Sequence, residues 1–191
     1  MPGAWLDLSV FLLSLLLGAT MKMADLLDEH GYRWFPRADI VFGIIWGVIG
    51  VILIVADQTL ATVWLAILAC WLVRRRLDYL NHGIAGALWL VAGLAGPVVV
   101  DRAAFVCLAV IFSVSGLIHD HFQYRGELPK KAWVKFLDVC DWCLIAGGYS
   151  VYSHSLLPVL SVCALEYAYL FLAKGRADAF LGKFGWKPPS A

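Results

Sequence analysis

The chain has 191 residues, of which 62% are hydrophobic and only 15% are charged, and its formal net charge is +1. A soluble domain usually carries about 25% charged residues, so a water-exposed surface does not account for this composition. The near-neutral charge gives no reason to expect nucleic acid as a partner, and we expect none. The composition predicts an all-α integral membrane protein, with membrane lipids around much of its apolar surface.

Seven apolar stretches are candidate membrane spans, each of which needs roughly 17 to 25 helical residues. Short turns join the second stretch to the third, the fourth to the fifth and the sixth to the seventh, whereas the other connections are longer. The sequence therefore predicts a single bundle of about seven transmembrane helices with a short cytoplasmic tail over 174–191. The predicted spans lie near 4–21, 40–56, 59–73, 84–100, 103–118, 136–153 and 155–173.

Basic residues are distributed unevenly between the two sides of this bundle. Of the 15 Lys and Arg residues, all except Arg102 lie in the longer connections or in the tail. Cytoplasmic loops carry an excess of Lys and Arg, so the N-terminus is predicted to lie outside and the C-terminus in the cytoplasm. We expect the plasma membrane of a prokaryote as the location.

Tryptophan, tyrosine and glycine positions predict how the helices are anchored and packed. Aromatic residues near span ends, among them Trp71 and Tyr79, are typical of an interfacial belt. Small residues let helices approach closely, and such faces would also permit a homo-oligomer. The glycines concerned are Gly43, Gly47 and Gly50 in the second span and Gly86, Gly93 and Gly96 in the fourth.

The first, third and fifth spans each run into an unusually polar segment on the predicted cytoplasmic side. These segments cover 22–31, 74–83 and 119–126, and each closes with a glycine that can stop a helix. If the helices continue, the acidic residues at 25, 28 and 29 share one helix face, and so do the polar residues at 78, 81 and 82. The first two segments align with each other, which suggests a repeated two-helix unit.

The polar segments contain groups that bind divalent metal ions. Carboxylate and amide oxygens suit Mg²⁺, whereas histidine with carboxylates suits Zn²⁺, Mn²⁺ or Fe. We predict a divalent metal cofactor, with Mg²⁺ favoured over the other three. The candidate metal ligands are Asp25, Asp28, Glu29, Asp78, Asn81 and Asp141.

Basic residues and histidines would complete an active site at the cytoplasmic face. Guanidinium and ammonium groups bind phosphate, and imidazole transfers protons near neutral pH. Alternatively, the basic residues at 74–76 only anchor the chain to anionic lipid, and the acids at 25–29 only balance nearby arginines. The candidate phosphate-binding residues are Lys22, Arg74, Arg75 and Arg125, and the candidate catalytic residues are His82, His119, Asp120 and His121.

Three acidic residues, Asp138, Asp141 and Glu166, lie within the predicted spans. An ionised acid at the middle of a bilayer costs on the order of 2.5–3.5 kcal/mol, so we expect these groups to face the bundle interior and to be paired or protonated. For Asp138, which lies near the cytoplasmic start of its span, simple solvation is the alternative. Asp141 would reach the cytoplasmic site from below.

Three classes of function fit this pattern. The first is a membrane-embedded, metal-dependent enzyme that transfers or hydrolyses the phosphate or diphosphate of a lipid or isoprenoid substrate. The second is a small transporter or channel that moves a cation or protons by way of Asp141 and Glu166. The third is a membrane scaffold or assembly protein. The polar residues are concentrated at one depth, which favours the enzyme, since a transporter should carry them to both faces.

Overall fold

The structure is a computed structural model that describes residues 2–28, 32, 34–124 and 132–173. The described residues form seven helices and no strand, which confirms the predicted all-α class. The predicted tail over 174–191 lies outside the described residues. The helices are α1 (Pro2–Asp28), α2 (Ala38–Ala56), α3 (Gln58–Val73), α4 (Leu80–Ala95), α5 (Arg102–Tyr124), α6 (Ala132–Ser153) and α7 (Leu157–Ala173).

Helix α3 lies at the centre of the bundle. It contacts α2, α4, α5 and α7, and most of its side chains are buried. The other helices contact one another in the order α4, α2, α1, α7, α6, α5. Because other helices surround α3, it needs no polar face.

The helix lengths differ from the predicted spans. Within the described residues, three helices are long and apolar enough to cross a membrane, over 5–28, 38–56 and 102–121, and three further apolar helices are shorter. Helix α4 ends at Ala95 rather than at residue 100, because Gly96 is extended and Pro97 cannot donate a helical hydrogen bond.

The second polar segment does not continue its helix, so that prediction is wrong. Helix α3 ends at Val73, and the next helix begins only at Leu80. Arg75 between them has a left-handed backbone with φ 55°, a conformation that breaks an α-helix. Asp78 is therefore not helical and shares no helix face with residues 81 and 82, which lie in the first turn of α4. The predicted helix-stopping Gly83 lies inside α4.

The first and third polar segments do extend their helices. Helix α1 continues to Asp28, and α5 continues through His119, Asp120 and His121 to Tyr124. Only these two segments share the predicted helical form, so the repeated unit is not seen in the second one.

Tryptophan side chains form the centre of the buried core. The rings of Trp46, Trp64, Trp71 and Trp89 contact one another at centroid distances of 5.4–6.1 Å. Trp71 is only 6% exposed, so the prediction that it is an interfacial anchor is wrong. It faces this aromatic core because α3 is surrounded by other helices.

Glycines bring α2 close to α4, as predicted. A Cβ atom on Gly50 would lie 2.0 Å from Nε1 of Trp89, and one on Gly43 would lie 2.9 Å from Cα of Asn81. The indole N–H of Trp89 donates to the carbonyl oxygen of Gly47 at 3.0 Å. A side chain at these positions would force the two helices apart.

The outward faces of α2 and α5 are apolar. The large exposed side chains of α2 recur every three or four residues, and α5 has a similar face. Contiguous apolar surface of this extent is unusual on a protein surrounded only by water. The residues are Val41, Ile44, Ile45, Val48, Ile52 and Val55 on α2, and Val106, Val110, Ile111, Val114, Leu117 and Ile118 on α5.

The helix connections are sorted to two ends of the bundle. At one, which we call the turn end, the connections α2–α3, α4–α5 and α6–α7 meet: Thr59 Oγ1 lies 3.3 Å from Ser155 Oγ, and the backbone N–H of Asp101 donates to Thr62 Oγ1 at 3.2 Å. At the other, the polar end, the last turns of α1, α5 and α7 meet the α3–α4 connection. The polar segments therefore come together at one end.

Candidate functional site

A cavity of about 490 Å³ lies at the polar end, between side chains from six helices and the α3–α4 connection. Charged and imidazole groups make up much of its wall, together with the aromatic residues Trp46, Trp71 and Tyr169. We call it the first cavity. Its charged and imidazole groups are Asp25, Arg74, Arg76, Asp78, His82 and His119.

Asp25 and His82 form a buried pair on the wall of the first cavity. The continued helix α1 places Asp25 in the interior, where the residue is 2% exposed. Its Oδ1 lies 2.9 Å from Nε2 of His82, in the first turn of α4. A buried carboxylate at this distance fixes the orientation and the tautomer of an imidazole ring and stabilises the protonated ring.

The second oxygen of Asp25 contacts one side chain from α7 and one from α1 itself. The hydroxyl of Tyr169 on α7 donates to Oδ2 at 2.6 Å, and Nζ of Lys22 lies 3.7 Å from the same oxygen. Lys22 also donates to the Tyr169 hydroxyl at 3.3 Å and lies 4.6 Å from the ring centroid. Lys22 is therefore buried beside Asp25.

Arg74 and Arg76 both bind Asp120 on α5. The guanidinium of Arg74 donates twice, from Nε to Oδ2 at 3.0 Å and from Nη2 to Oδ1 at 2.7 Å, and Arg76 donates to Oδ1 as well. The left-handed turn at Arg75 lets its two neighbours reach the same carboxylate. Arg74 lies across Gly116, where a Cβ atom would be 2.5 Å from its Nη1.

The charge state of Asp120 follows from these contacts. The hydrogen bonds and positive charges of Arg74 and Arg76 favour the ionised carboxylate over the protonated one. Asp120 is therefore ionised at neutral pH. Together the two guanidinium groups, which line the first cavity, and the carboxylate carry one net positive charge.

A second cavity, of about 260 Å³, adjoins the first. Arg74, His119 and Tyr169 line both of them. The acids Asp141 and Glu166 line only the second cavity. The hydroxyl of Ser115 donates to Oδ2 of Asp141, and the backbone N–H of Trp142 donates to its Oδ1 at 2.8 Å.

Several predicted site residues lie elsewhere. Asn81 is fully buried against Gly43, and Asp28, the last residue of α1, is half-buried; neither lines the two cavities. Arg75 and His121 are exposed. Glu29 and Arg125 lie outside the described residues, and so does the side chain of Asp138 on α6.

The predicted metal ligands are divided between the two cavities. Asp25 and Asp78 line the first cavity, whereas Asp141 lines the second. Within the described residues, no three His, Cys, Asp or Glu side chains form a group that could hold a metal ion. The donor set of the described residues therefore does not fit a metal centre formed by the protein alone.

Sequence reasoning missed two residues of the site, Tyr169 and Trp46. Tyr169 follows Glu166 by three positions on α7, so its place on the same helix face could have been found from the helical period. Trp46 lines the first cavity and its ring lies 6.0 Å from that of His82. No sequence signal distinguishes it from the other core tryptophans.

No family model matches the chain, and no curated protein and no solved structure matches it either. The fold and the site define an all-helical bundle with two adjoining charged cavities at one end.

Proposed function

We propose that the chain is a membrane-embedded enzyme that transfers or hydrolyses the phosphate of a lipid or isoprenoid substrate at the cytoplasmic face. The observation that carries the proposal is the buried Asp25–His82 pair, which lines one cavity together with Arg74 and Arg76. This combination offers a proton-transfer group in the same cavity as two guanidinium groups.

The membrane location is supported by the apolar outward faces of α2 and α5 and by the sorting of connections to two ends. In this proposal all seven helices cross the bilayer, with the turn end outside and the polar end in the cytoplasm. The distribution of Lys and Arg agrees with that orientation. The shorter helices cross where neighbouring helices surround them or where the bilayer thins.

His82 is the proposed acid–base group. In the tautomer whose Nε2–H donates to Asp25, the basic lone pair is on Nδ1, which is buried, so the wall of the first cavity must open at this atom before Nδ1 takes the proton of an attacking water or alcohol. As the oxygen–phosphorus bond forms and the bond to the leaving group breaks, the imidazolium is stabilised by Asp25 and returns its proton to the leaving oxygen.

Arg74 and Arg76 are the proposed phosphate-binding groups. Asp120 accepts hydrogen bonds from Nε and Nη2 of Arg74 but not from Nη1. The Arg76 side chain is 40% exposed. The net positive charge of this trio suits a phosphate whose negative charge increases in the transition state. Because Asp120 holds both side chains in place, little reorganisation is needed when the substrate binds.

A divalent metal ion remains a prediction, and no step above depends on one. If Mg²⁺ takes part, substrate phosphate oxygens would have to complete its coordination beside Asp25 and Asp78. The turnover assay is therefore run both with Mg²⁺ and with a chelator.

The test is turnover of defined phospholipids and polyprenyl diphosphates by the purified chain in proteoliposomes, followed by thin-layer chromatography. We expect at least one lipid to be converted by the wild type and not by His82→Gln. His154→Gln, which changes an exposed histidine at the turn end, is the matched control and should retain full turnover. Conversion that persists undiminished in His82→Gln would remove the basis of the proposal.

A second candidate, transport of a cation or protons, is favoured by the shared cavity of Asp141 and Glu166. Between this cavity and the turn end, the hydroxyls of Ser14 and Ser161 lie 2.6 Å apart in the interior. A pH-sensitive dye enclosed in the proteoliposomes tests this candidate. A proton flux that is lost in Glu166→Gln, without lipid turnover in the wild type, would favour transport over the enzyme.

A further inference from the structure

Acidic groups line the second cavity. Its wall includes the carboxyl groups of Asp141 and Glu166, and its guanidinium, that of Arg74, is already paired with Asp120. Within the described residues, the hydrogen bonds to Asp141 come from neutral donors, the Ser115 hydroxyl and the Trp142 backbone. Besides Arg74, the imidazole of His119 is the one basic group among the described lining residues, so the two acids outnumber the basic groups that are not already paired with Asp120.

The carboxyl group of Glu166 independently indicates that this cavity binds a ligand. It is half-buried and lines the cavity, and its carboxyl group has no hydrogen bond or ion pair within the described part of the chain. An acidic group in the interior is costly unless it is paired with a positive group or a hydrogen-bond donor. A ligand that supplies such a donor would remove this cost.

The position of the cavity limits what this ligand can be. Met21, Arg74, His119 and Tyr169 belong to the walls of both cavities, so the two spaces meet at Arg74. A substrate whose phosphate contacts Arg74 would place its next substituent in the second cavity. With about 260 Å³, the cavity has room for several heavy atoms, since one water takes up about 30 Å³.

We propose that the second cavity is a subsite for a protonated amine that the substrate carries next to its phosphate, as in an ethanolamine head group. An ammonium group has three donors and a positive charge, and the two carboxyl groups supply the acceptors. The inference rests on the proposed function, because it takes the phosphate to lie at Arg74 and Arg76.

The test compares three short-chain lipids that share the dioctanoyl tail: phosphatidylethanolamine, phosphatidylglycerol and phosphatidic acid. Their binding to the purified full chain in a maltoside detergent is measured by titration calorimetry. We expect the wild type to bind phosphatidylethanolamine roughly tenfold more tightly than phosphatidylglycerol, the gain expected from one charge-assisted hydrogen bond. Glu166→Gln, which keeps the shape of the side chain, should abolish this preference. Asp7→Asn, at the exposed start of α1, should keep it.

Free ethanolamine distinguishes a lipid-borne amine from a separate amine substrate. If it displaces phosphatidylethanolamine from the wild type but not from Glu166→Gln, the subsite is supported and also accepts a free amine. Equal affinities of the wild type for the ethanolamine and glycerol lipids, with phosphatidic acid bound, would overturn the subsite and leave the proposed function standing. Failure to bind any of the three lipids would overturn the subsite, whereas the proposed function, which also covers polyprenyl diphosphates, is decided by the turnover assay.

Discussion

Asp57 at the turn end has different hydrogen-bond donors from the two aspartates at the polar end. Asp57 accepts hydrogen bonds from the backbone N–H groups of Thr59 and Leu60, at 2.7 and 3.3 Å, and so caps α3. At the polar end, Asp25 and Asp120 accept hydrogen bonds from side chains that are 44 to 144 residues distant in sequence. Asp57 therefore stabilises one helix, whereas Asp25 and Asp120 hold functional groups of several helices together.

The comparison indicates which acids can be removed without loss of function. A capping carboxylate lies at the surface of a helix end, and water can replace part of its contribution. A buried carboxylate that orients a cation or an imidazole has no such substitute. Substitutions at the turn end should therefore change stability alone, whereas those at the polar end should change activity as well.

The largest effect is expected from the Asp25–His82 pair. His82→Gln removes the proposed acid–base group, and we expect lipid turnover to fall by roughly 10²- to 10⁴-fold. Asp25→Asn should cause a loss of similar order, because the imidazole loses the carboxylate that stabilises its protonated form. Steady-state rates in proteoliposomes measure both. If either variant turns over lipid at the rate of the wild type, the polar end is not an active site of the kind proposed.

The next effect in size is expected at Asp120. Asp120→Asn leaves Arg74 and Arg76 without their carboxylate, at a cost of about 1–3 kcal/mol, below the 3–5 typical of a fully buried pair because Arg76 is partly exposed. Unfolding in detergent, followed by circular dichroism, measures it. Asp7→Asn, on an exposed residue, is the control and should leave the unfolding midpoint unchanged.

A smaller effect is expected from a methyl group under Arg74. Gly116→Ala would bring a Cβ atom to 2.5 Å from Nη1 of Arg74, so the guanidinium must shift away from Asp120, and turnover should fall by roughly tenfold. Gly148→Ala on α6 is the matched control, since nothing lies within 4 Å of its added methyl group. The control should gain up to about 1 kcal/mol of stability from the higher helix propensity of alanine. Equal rates in both variants would mean that the position of Arg74 does not matter.

The smallest effect is expected at the turn end. Asp57→Ala removes the cap of α3 and should lower the free energy of unfolding by about 1 kcal/mol. Lipid turnover per folded molecule should not change, because the turn end takes no part in the site. If Asp57→Ala lost as much turnover as Asp25→Asn, the functional difference between the two ends would be contradicted.

Much of the arrangement follows from the sequence, because connection length and charge are local properties. Short turns alternate with longer polar connections, and this alternation is enough to predict that the segments after the first, third and fifth helices lie at one end. The extension of α1 to Asp28 and of α5 past Asp120 also follows, since no proline or left-handed residue interrupts either helix.

The pairing of side chains could not be predicted in the same way. Arg74–Arg76 has the composition of a helix end that anchors to lipid, and only the distant carboxylate of Asp120 explains why the chain turns there. Trp71 has the sequence position of an interfacial residue, but its burial is decided by which helix occupies the centre. Such features depend on contacts between residues far apart in the chain.

The most direct test of the account is whether Asp25 and His82 interact. A double-mutant cycle of Asp25→Asn, His82→Gln and the double variant, with unfolding measured at neutral pH, gives the coupling energy between the two side chains. The account predicts a coupling of about 1 kcal/mol or more, as expected for a buried hydrogen-bonded pair. If the changes in the free energy of unfolding caused by the two single substitutions add to within about 0.5 kcal/mol of the double variant, the two side chains do not interact. The polar end would then lack the proposed catalytic pair.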